Sequence, residues 1–168
     1  MLEIVLAKSN SDGTVLMIAA LGRGKRLVEA VANLLAGKLN EDKMLEMISA
    51  KDVGGMNALM LAATQNENDC VYETLVTRVT CKRTERQVLE LFTAKNTYGR
   101  NVLALAAVNG SKDAFEAVAR RLDNKLTDQQ VLGMMRATDN DGLNVLMIAV
   151  VSANASRPGF EAVVAYLN

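Results

Sequence analysis

The sequence contains no histidine and no tryptophan, and it has only one proline among its 168 residues. Without imidazole, the chain cannot form the serine and cysteine triads that use histidine as the base, and it lacks a ligand found in most zinc sites. No other grouping of nucleophile, acid and base stands out along the chain. We therefore expect a protein that is not an enzyme and that uses neither a metal nor a cofactor.

Two short motifs resemble ligand-binding loops, and both lack essential residues. Gly22-Arg-Gly-Lys25 resembles the end of a phosphate-binding loop, but Arg26 stands where that loop needs serine or threonine. Asp139-Asn-Asp-Gly142 resembles part of a calcium loop, but its first and twelfth ligand positions would be Ala137 and Ile148. Neither motif therefore predicts a ligand site.

Charge is balanced in this chain, and aromatic residues are scarce. Nineteen basic and nineteen acidic residues give a formal net charge of zero, which provides no long-range attraction for nucleic acid or for an anionic membrane. The densest basic cluster contains Arg83 and Arg86, and no aromatic residue alternates with its cations to stack on bases. We expect neither a nucleic-acid partner nor a membrane partner.

The two cysteines do not predict a disulfide. If Cys70 and Cys81 lie on one helix, their separation of eleven residues corresponds to about 16 Å, whereas a disulfide needs Cα atoms within about 7 Å. Reduced thiols are typical of a cytosolic compartment. We recognise no cleaved signal peptide, and no apolar run reaches the roughly 18 residues of a membrane helix. The expected location is cytoplasmic, and the expected state is a monomer.

One phrase recurs four times at nearly constant spacing. A fixed period of this length is typical of stacked repeats, in which each unit buries its apolar face on the next. The central leucines of the phrase, Leu16, Leu59, Leu103 and Leu146, lie 43, 44 and 43 residues apart. The four versions are Gly13-Thr-Val-Leu-Met-Ile-Ala-Ala20, Gly55-Met-Asn-Ala-Leu-Met-Leu-Ala-Ala63, Gly99-Arg-Asn-Val-Leu-Ala-Leu-Ala-Ala107 and Gly142-Leu-Asn-Val-Leu-Met-Ile-Ala-Val150.

Each repeat is predicted to contain a first helix that is apolar on nearly every side. Such a helix belongs in the middle of a stack, and its paired alanines let neighbouring backbones approach closely. The glycine before each helix is expected to adopt the tight-turn conformation of a chain reversal. Small polar residues suited to the N-cap precede the helix in each repeat: Thr14, Asn57, Asn101 and Asn144.

A second, amphipathic helix and a short third helix complete the repeat. The second helix carries apolar residues at spacings of three and four, beginning with Val28, Val31 and Leu35. The third helix begins at Asn40, or at a capping box that starts at Thr84 or Thr127. The predicted fold is all-α, with units over about 8–50, 51–94, 95–137 and 138–168 and with 1–7 as the tail of a preceding unit. Because neither end shows a polar capping repeat, we expect a segment of a longer protein.

Lysines recur at equivalent positions and form two predicted ladders. One ladder is Lys8, Lys51 and Lys95 at the end of the third helix, and the other is Lys38, Lys82 and Lys125 between the second and third helices. Stacking would align each set along one edge, as a docking strip for an acidic partner. The interpretation we favour is that these lysines complement the dipole at a helix C-terminus.

The repeated phrase resembles the ankyrin-repeat pattern Asp-x-x-Gly-x-Thr-Pro-Leu-His-x-Ala-Ala. The resemblance is carried by 52–63 and 139–150, and it extends furthest along 103–118. The family's histidine is replaced by Met17, Met60, Ala104 and Met147, and the period is about ten residues longer than usual. The departures leave open whether the turns form the hairpins of ankyrin repeats. The resemblance implies an ankyrin-like helical solenoid of about four repeats, with armadillo-like three-helix repeats as the alternative.

The turns between repeats are the predicted binding surface for a partner protein. Their sequences differ from one another while their flanks repeat, and several carry residue types that are common in protein interfaces. In ankyrin proteins the equivalent turns and the adjoining first-helix surface contact partners, so the resemblance adds further candidates. The candidate turn residues are Val53, Met56, Tyr98, Arg100, Asp141 and Leu143, and the flanking candidates include Thr64, Gln65 and Asn109.

Two functional hypotheses follow from this resemblance. In the first, the array is a non-enzymatic protein-binding module that recognises its partner, whose identity is unknown, with the turns and the concave helix surface. In the second, it is the targeting or substrate-recruiting domain of a larger enzyme. Atypical ankyrin arrays occur in bacterial effectors that act on host proteins, and for such an effector the expected location is the host cytosol.

Overall fold

A computed structural model of the chain describes residues 7–22, 25–64, 72, 74–77, 83–109, 115–116, 126–152, 161 and 163–165. Regular structure in these ranges is helical, and they contain no strand. The all-α fold class predicted from the sequence is therefore confirmed. The helices are α1 Val15–Leu21, α2 Lys25–Lys38, α3 Glu41–Ser49, α4 Ala58–Ala63, α5 Glu85–Thr93, α6 Val102–Val108, α7 Asp128–Arg136 and α8 Val145–Ser152.

The first helices α1, α4, α6 and α8 begin at the predicted N-caps. Thr14 Oγ1 accepts a hydrogen bond from Met17 N at 3.3 Å, and the equivalent asparagines accept bonds of 2.9 to 3.0 Å from the backbone three residues on. Each bond satisfies a donor that the first turn of a helix leaves without an intrahelical partner. The sequence therefore fixes where each of these helices starts.

Two of the caps also link the first helix to the third helix of the same repeat. Asn57 Nδ2 donates to the Leu91 carbonyl at 3.4 Å, and Asn101 Nδ2 donates to the Met134 carbonyl at 2.9 Å. Asparagine offers a separate donor, Nδ2, for this second bond while its Oδ1 caps the helix, whereas threonine has a single hydroxyl for both roles. Asparagine in place of the family's threonine is therefore suited to a repeat that contains a third helix.

The third helices α3, α5 and α7 also begin where the sequence predicts. Asn40 Oδ1 accepts from Lys43 N at 2.9 Å, and Thr84 and Thr127 form reciprocal capping boxes with Gln87 and Gln130. In these boxes the glutamine side-chain oxygen accepts from the threonine backbone N–H. Local sequence therefore specifies the extra helix that lengthens the repeat.

The core runs along the stack of first helices. Helix α1 contacts α4, α4 contacts α6, and α6 contacts α8. The leucines Leu59 and Leu103 and the alanines of the two inner helices are almost completely buried. Among the described residues, α1 packs on one first helix, α4, and α8 packs on one, α6, and each exposes apolar residues on another side. The prediction that each first helix lies in the middle of the stack is therefore confirmed for α4 and α6. For α1 and α8 it holds for one face of the helix.

The second helix is described fully only in the first repeat. There, Val28 and Leu35 are buried and Val31 is half-buried, as the amphipathic pattern predicts. In the later repeats the described equivalents, Tyr72, Leu75, Phe115 and Val163, are all buried. The other predicted positions, Val79, Val118, Leu122, Phe160 and Leu167, lie outside the described residues. Cys70 and Cys81 lie outside them as well.

The chain reversal before each first helix uses a residue with positive φ. Gly55, Gly99 and Gly142 have φ of 71° to 77°, a region that favours glycine. In the first repeat the prediction was wrong, because Asp12, with φ of 60°, takes this role instead of Gly13. Gly13 directly precedes the cap Thr14, whereas the other glycines lie two residues before theirs. Aspartate is among the residues that tolerate this conformation.

Candidate protein-binding surface

Each turn between repeats is closed by a short polar side chain. Asp52 Oδ1 accepts hydrogen bonds from Gly54 N and Met56 N, both at 2.8 Å. Asn96 and Asp139 accept the equivalent pairs of bonds at 2.9 to 3.0 Å. The backbone N–H of each closing residue also donates to the carbonyl four residues on. These three turns are therefore tight hairpins with the same internal hydrogen bonds.

Successive turns are joined through their main chains, and the joins define a ridge along one side of the array. Val53 N donates to the Ser11 carbonyl at 3.1 Å, Thr97 N to the Gly54 carbonyl at 3.0 Å, and Asn140 N to the Tyr98 carbonyl at 3.0 Å. We call the turns 9–13, 52–56, 96–100 and 139–143 the turn ridge. Two tip side chains add to these joins, since Thr97 Oγ1 donates to the Gly54 carbonyl at 3.1 Å and Asn140 Nδ2 donates to the Thr97 carbonyl at 2.9 Å. At Val53 and Tyr98 the joins use backbone groups, so these two side chains are left to face solvent or a partner.

The first lysine ladder also joins the repeats. Lys51 Nζ donates to the Lys95 carbonyl at 2.8 Å, and Lys95 Nζ donates to the Thr138 carbonyl at 2.7 Å. Lys8 Nζ lies 3.9 Å from Oδ1 of Asp12, in the turn that directly follows Lys8. Two of the three ammonium groups thus bind backbone carbonyls of the following repeat, a contact that the sequence did not indicate. In the second ladder Lys38 is exposed, and Lys82 and Lys125 lie outside the described residues.

Within the described ranges, the basic cluster contributes one buried cation. Arg83 Nη1 donates to Glu41 Oε2 at 2.7 Å, and the Arg83 side chain is buried while Glu41 is exposed. Arg86 pairs with Glu90 on the surface of α5. Arg83 is therefore withdrawn from the surface, and the charge of the exposed Arg86 is paired with that of Glu90.

The turn residues Met56 and Arg100 occupy the same position in consecutive repeats, and each contacts the closing residue of the next turn. Asn96 Nδ2 donates to Met56 Sδ at 3.4 Å, and Arg100 Nε donates to Asp139 Oδ2 at 3.0 Å. Burial raises the pKa of Asp139, but hydrogen bonds from Leu143 N, Arg100 and Asp141 N outweigh it and lower the pKa below the ordinary value of 3.8. The buried Asp139 therefore stays ionised beside Arg100.

The predicted turn residues separate into two groups. Val53 and Tyr98 are 69% and 67% exposed, and Asp141 is also exposed. Met56, Arg100 and Leu143 are half-buried at the base of the ridge, and Met56 and Leu143 pack against the core. The first three residues are accessible at the tips, whereas the second three support the turns.

The flanking candidates Thr64 and Asn109 lie at the C-caps of α4 and α6. Thr64 Oγ1 donates to the Leu61 carbonyl at 2.7 Å, and Asn109 Nδ2 donates to the Leu105 carbonyl at 2.9 Å. Both residues are half-buried, and Gln65 lies outside the described residues. Asn10, Thr97 and Asn140 are exposed tip residues that sequence reasoning did not single out. Their alignment with Val53 was the signal that would have found them.

Comparison with known families identifies the repeat. The family model for ankyrin repeats, in three copies, matches residues 16–129, which is more than half of the chain. The chain belongs to the ankyrin-repeat family. The match supports the ankyrin-like solenoid over the armadillo-like alternative. No curated protein matched the chain in the comparison.

Ankyrin repeats are protein–protein interaction modules and are typically non-catalytic. In the part of this ankyrin array that the structure describes, no three histidine, cysteine, aspartate or glutamate side chains are grouped as metal ligands would be. None of the helices described here combines the length and the apolar character that crossing a bilayer requires. The turn ridge is the surface at which the variable residues of the repeats lie together.

Proposed function

We propose that this ankyrin array binds a partner protein through the tips of the turn ridge and the adjoining surface of the first helices. The observation that supports the proposal is the exposure of Val53 and Tyr98 on turns whose backbones are bonded to one another. Large apolar and aromatic side chains exposed on a rigid support are typical anchors of protein interfaces. Because the turns are preorganised, binding costs little loop ordering.

The partner that fits this ridge is a folded protein or an extended segment with an apolar centre. Val53 and Tyr98 supply apolar contact, and Asp141 adds one negative charge at the far end of the ridge. The exposed polar residues Asn10, Thr97 and Asn140 lie beside them, with Thr97 Oγ1 and Asn140 Nδ2 already bonded to carbonyls of the neighbouring turn. Together they give the composition of an interface with a small apolar core and a polar rim. The recruiting domain of a larger enzyme would use the same surface. The cytoplasmic location stays a prediction from the sequence.

A Val53→Ser/Tyr98→Ser double variant tests the proposal. Both side chains are mostly exposed, so we expect the variant to fold with an unchanged circular dichroism spectrum. The matched control is Leu27→Ser/Leu34→Ser, which removes two exposed apolar side chains from α2. Partners recovered by the wild type and by the control are expected to be lost, by about tenfold or more, from the turn variant. Equal recovery by all three proteins would show that the tips are not the binding surface.

A further inference from the structure

The outer face of α8 is an uncovered half of a repeat-to-repeat interface. Leu146, Met147 and Val150 are 37%, 49% and 55% exposed. The equivalent residues of the three preceding repeats are at most 3% exposed, and the first helices of those repeats pack on one another in sequence. These equivalents are Leu16, Met17 and Ala20, then Leu59, Met60 and Ala63, then Leu103, Ala104 and Ala107.

Helix α1 exposes the complementary half. Ile18 is 56% exposed, whereas its equivalent Leu61 is half-buried and its equivalents Leu105 and Ile148 are 6% and 2% exposed. Val15 is half-buried, and its equivalents in α4, α6 and α8 are completely buried. The face of α1 that carries Ile18 therefore corresponds to the face with which each later first helix packs on the repeat before it.

The turn ridge has matching ends as well. Its three main-chain bonds run from the N–H at one tip to the carbonyl of the tip before it. If the series were extended by one turn at each end, the Asn10 N–H would be the next donor and the Asp141 carbonyl would be the next acceptor. The donor lies in the same repeat as Ile18, and the acceptor lies in the same repeat as Met147. A further turn bond would therefore form in register with the packing of the two helical faces.

We propose that a second copy of this chain docks head to tail, with the Ile18 face of one copy on the Met147 face of the other. The contact continues the interface that the chain already forms three times between its own repeats. Because the two faces differ, the association is heterologous and can propagate from copy to copy. The inference departs from the monomer expected from the sequence, and it takes a second copy as the occupant of end faces that further chain of a longer protein was expected to cover. It concerns a surface distinct from the tips that carry the proposed partner site.

Val150 makes this contact differ from the internal ones. It stands where the other three repeats have alanine, at Ala20, Ala63 and Ala107, and small residues there let neighbouring helices approach closely. The larger side chain adds apolar surface but holds the docked helix further from α8. Contact between copies is therefore expected to be weaker than contact between repeats, and to depend on protein concentration.

Sedimentation velocity of the full chain and of two single variants tests the proposal. The variants are Ile18→Glu and Met147→Glu, each of which places a charge on one face at a position that is at least about half exposed. Over about 5 to 500 µM, a range that covers weak specific contacts, the sedimentation coefficient of the wild type is expected to rise. Each variant is expected to remain a monomer, and an equimolar mixture of the two is expected to form a dimer and nothing larger.

The mixture forms a dimer only in the head-to-tail arrangement, because each variant still has one intact face. Val53→Glu, with the same charge change on an exposed tip residue, is the control and is expected to associate like the wild type. Circular dichroism checks that each variant is folded, and Val150→Glu replaces Met147→Glu if that variant unfolds. A wild type that stays monomeric, an Ile18→Glu variant that associates normally, or a mixture that stays monomeric would each overturn the proposal.

Discussion

Arg100 and Asp139 form an ion pair across a repeat boundary, with Arg100 Nε 3.0 Å from Asp139 Oδ2. One repeat earlier, the same two positions hold Met56 and Asn96, which are joined by a hydrogen bond from the amide to the thioether. A guanidinium is matched with a carboxylate, and a thioether with an amide donor. The repeats therefore conserve the contact between turns while they change its chemistry, and this difference can be measured.

Asp139→Asn is expected to lower the free energy of unfolding by about 2 kcal/mol at pH 7, because Arg100 loses its charged acceptor. The pKa of Asp139 is lowered in the folded state. The stabilisation is therefore fully present above the ordinary pKa of 3.8 and is lost as the pH falls through the lower folded pKa. Urea unfolding of both proteins from neutral pH down to about pH 3 should show their difference shrinking at the acid end.

Asp52→Asn is the control for that experiment. Asp52 closes its turn with the same bonds, but Gly13, at the position that Arg100 holds in its own repeat, has no side chain to donate. Asparagine can keep the turn bonds through its own Oδ1, as Asn96 does. We expect a cost below about 1 kcal/mol. A cost equal to that of Asp139→Asn would mean that the ion pair with Arg100 contributes nothing.

Asn101→Ala is expected to cost about 2 kcal/mol, because it removes both the N-cap of α6 and the buried bond to the Met134 carbonyl. Asn101→Ser keeps a capping oxygen but removes the amide donor, so its cost should be about 1 kcal/mol. Equilibrium unfolding in urea measures both values. Equal costs for the two substitutions would show that the bond to Met134 does not stabilise the repeat.

Gly99→Ala is expected to destabilise the array more than Gly142→Ala, although both glycines have φ of 77°. A Cβ at Gly99 would lie 2.9 Å from Asn140 N and would also meet Asn140 Oδ1, whereas a Cβ at Gly142 meets nothing within 4 Å. Backbone strain alone costs about 1 kcal/mol at Gly142, and the clash raises the cost at Gly99 to about 3 kcal/mol. Thermal or urea unfolding compares the two, and similar losses would mean that the turns can separate freely.

Leu103→Ala is expected to lower the free energy of unfolding by about 2 to 5 kcal/mol, since the side chain is fully buried between repeats. Leu146→Ala makes the same change at the equivalent position of α8, where the side chain is partly exposed. Its expected cost is about 1 kcal/mol or less in the monomer. A loss below about 0.5 kcal/mol for Leu103→Ala would show that this leucine is not a core residue.

The elements that depend on local sequence were predictable. The N-caps Asn57 and Asn101 and the capping boxes at Thr84 and Thr127 are formed by residues within three positions of one another. Their hydrogen bonds are therefore encoded in short stretches of sequence, and periodicity identifies the repeats that contain them. The fold class and the start of each described first and third helix follow from these signals.

The contacts that cross repeat boundaries were not predictable in the same way. Lys51 and Lys95 bind carbonyls 44 and 43 residues away. Whether each ammonium reaches a carbonyl depends on the distance and the relative position of two stacked repeats, which a short stretch of sequence does not encode. In the first turn Asp12 holds the positive-φ position, two residues before the cap Thr14, where the later turns have glycine. Met56 and Arg100 have interface-type side chains, but neighbouring turns partly bury them.

The bonding of one turn to the next by main-chain groups has an evolutionary consequence. Substitution of Val53 or Tyr98 does not remove the amide and carbonyl groups that join the turns of the ridge. Binding specificity can therefore change at these positions while the protein still folds. Gly99, packed against the next turn, has no such latitude. Divergent homologues should therefore retain the glycine while the tip residues beside it change with the proteins they recognise.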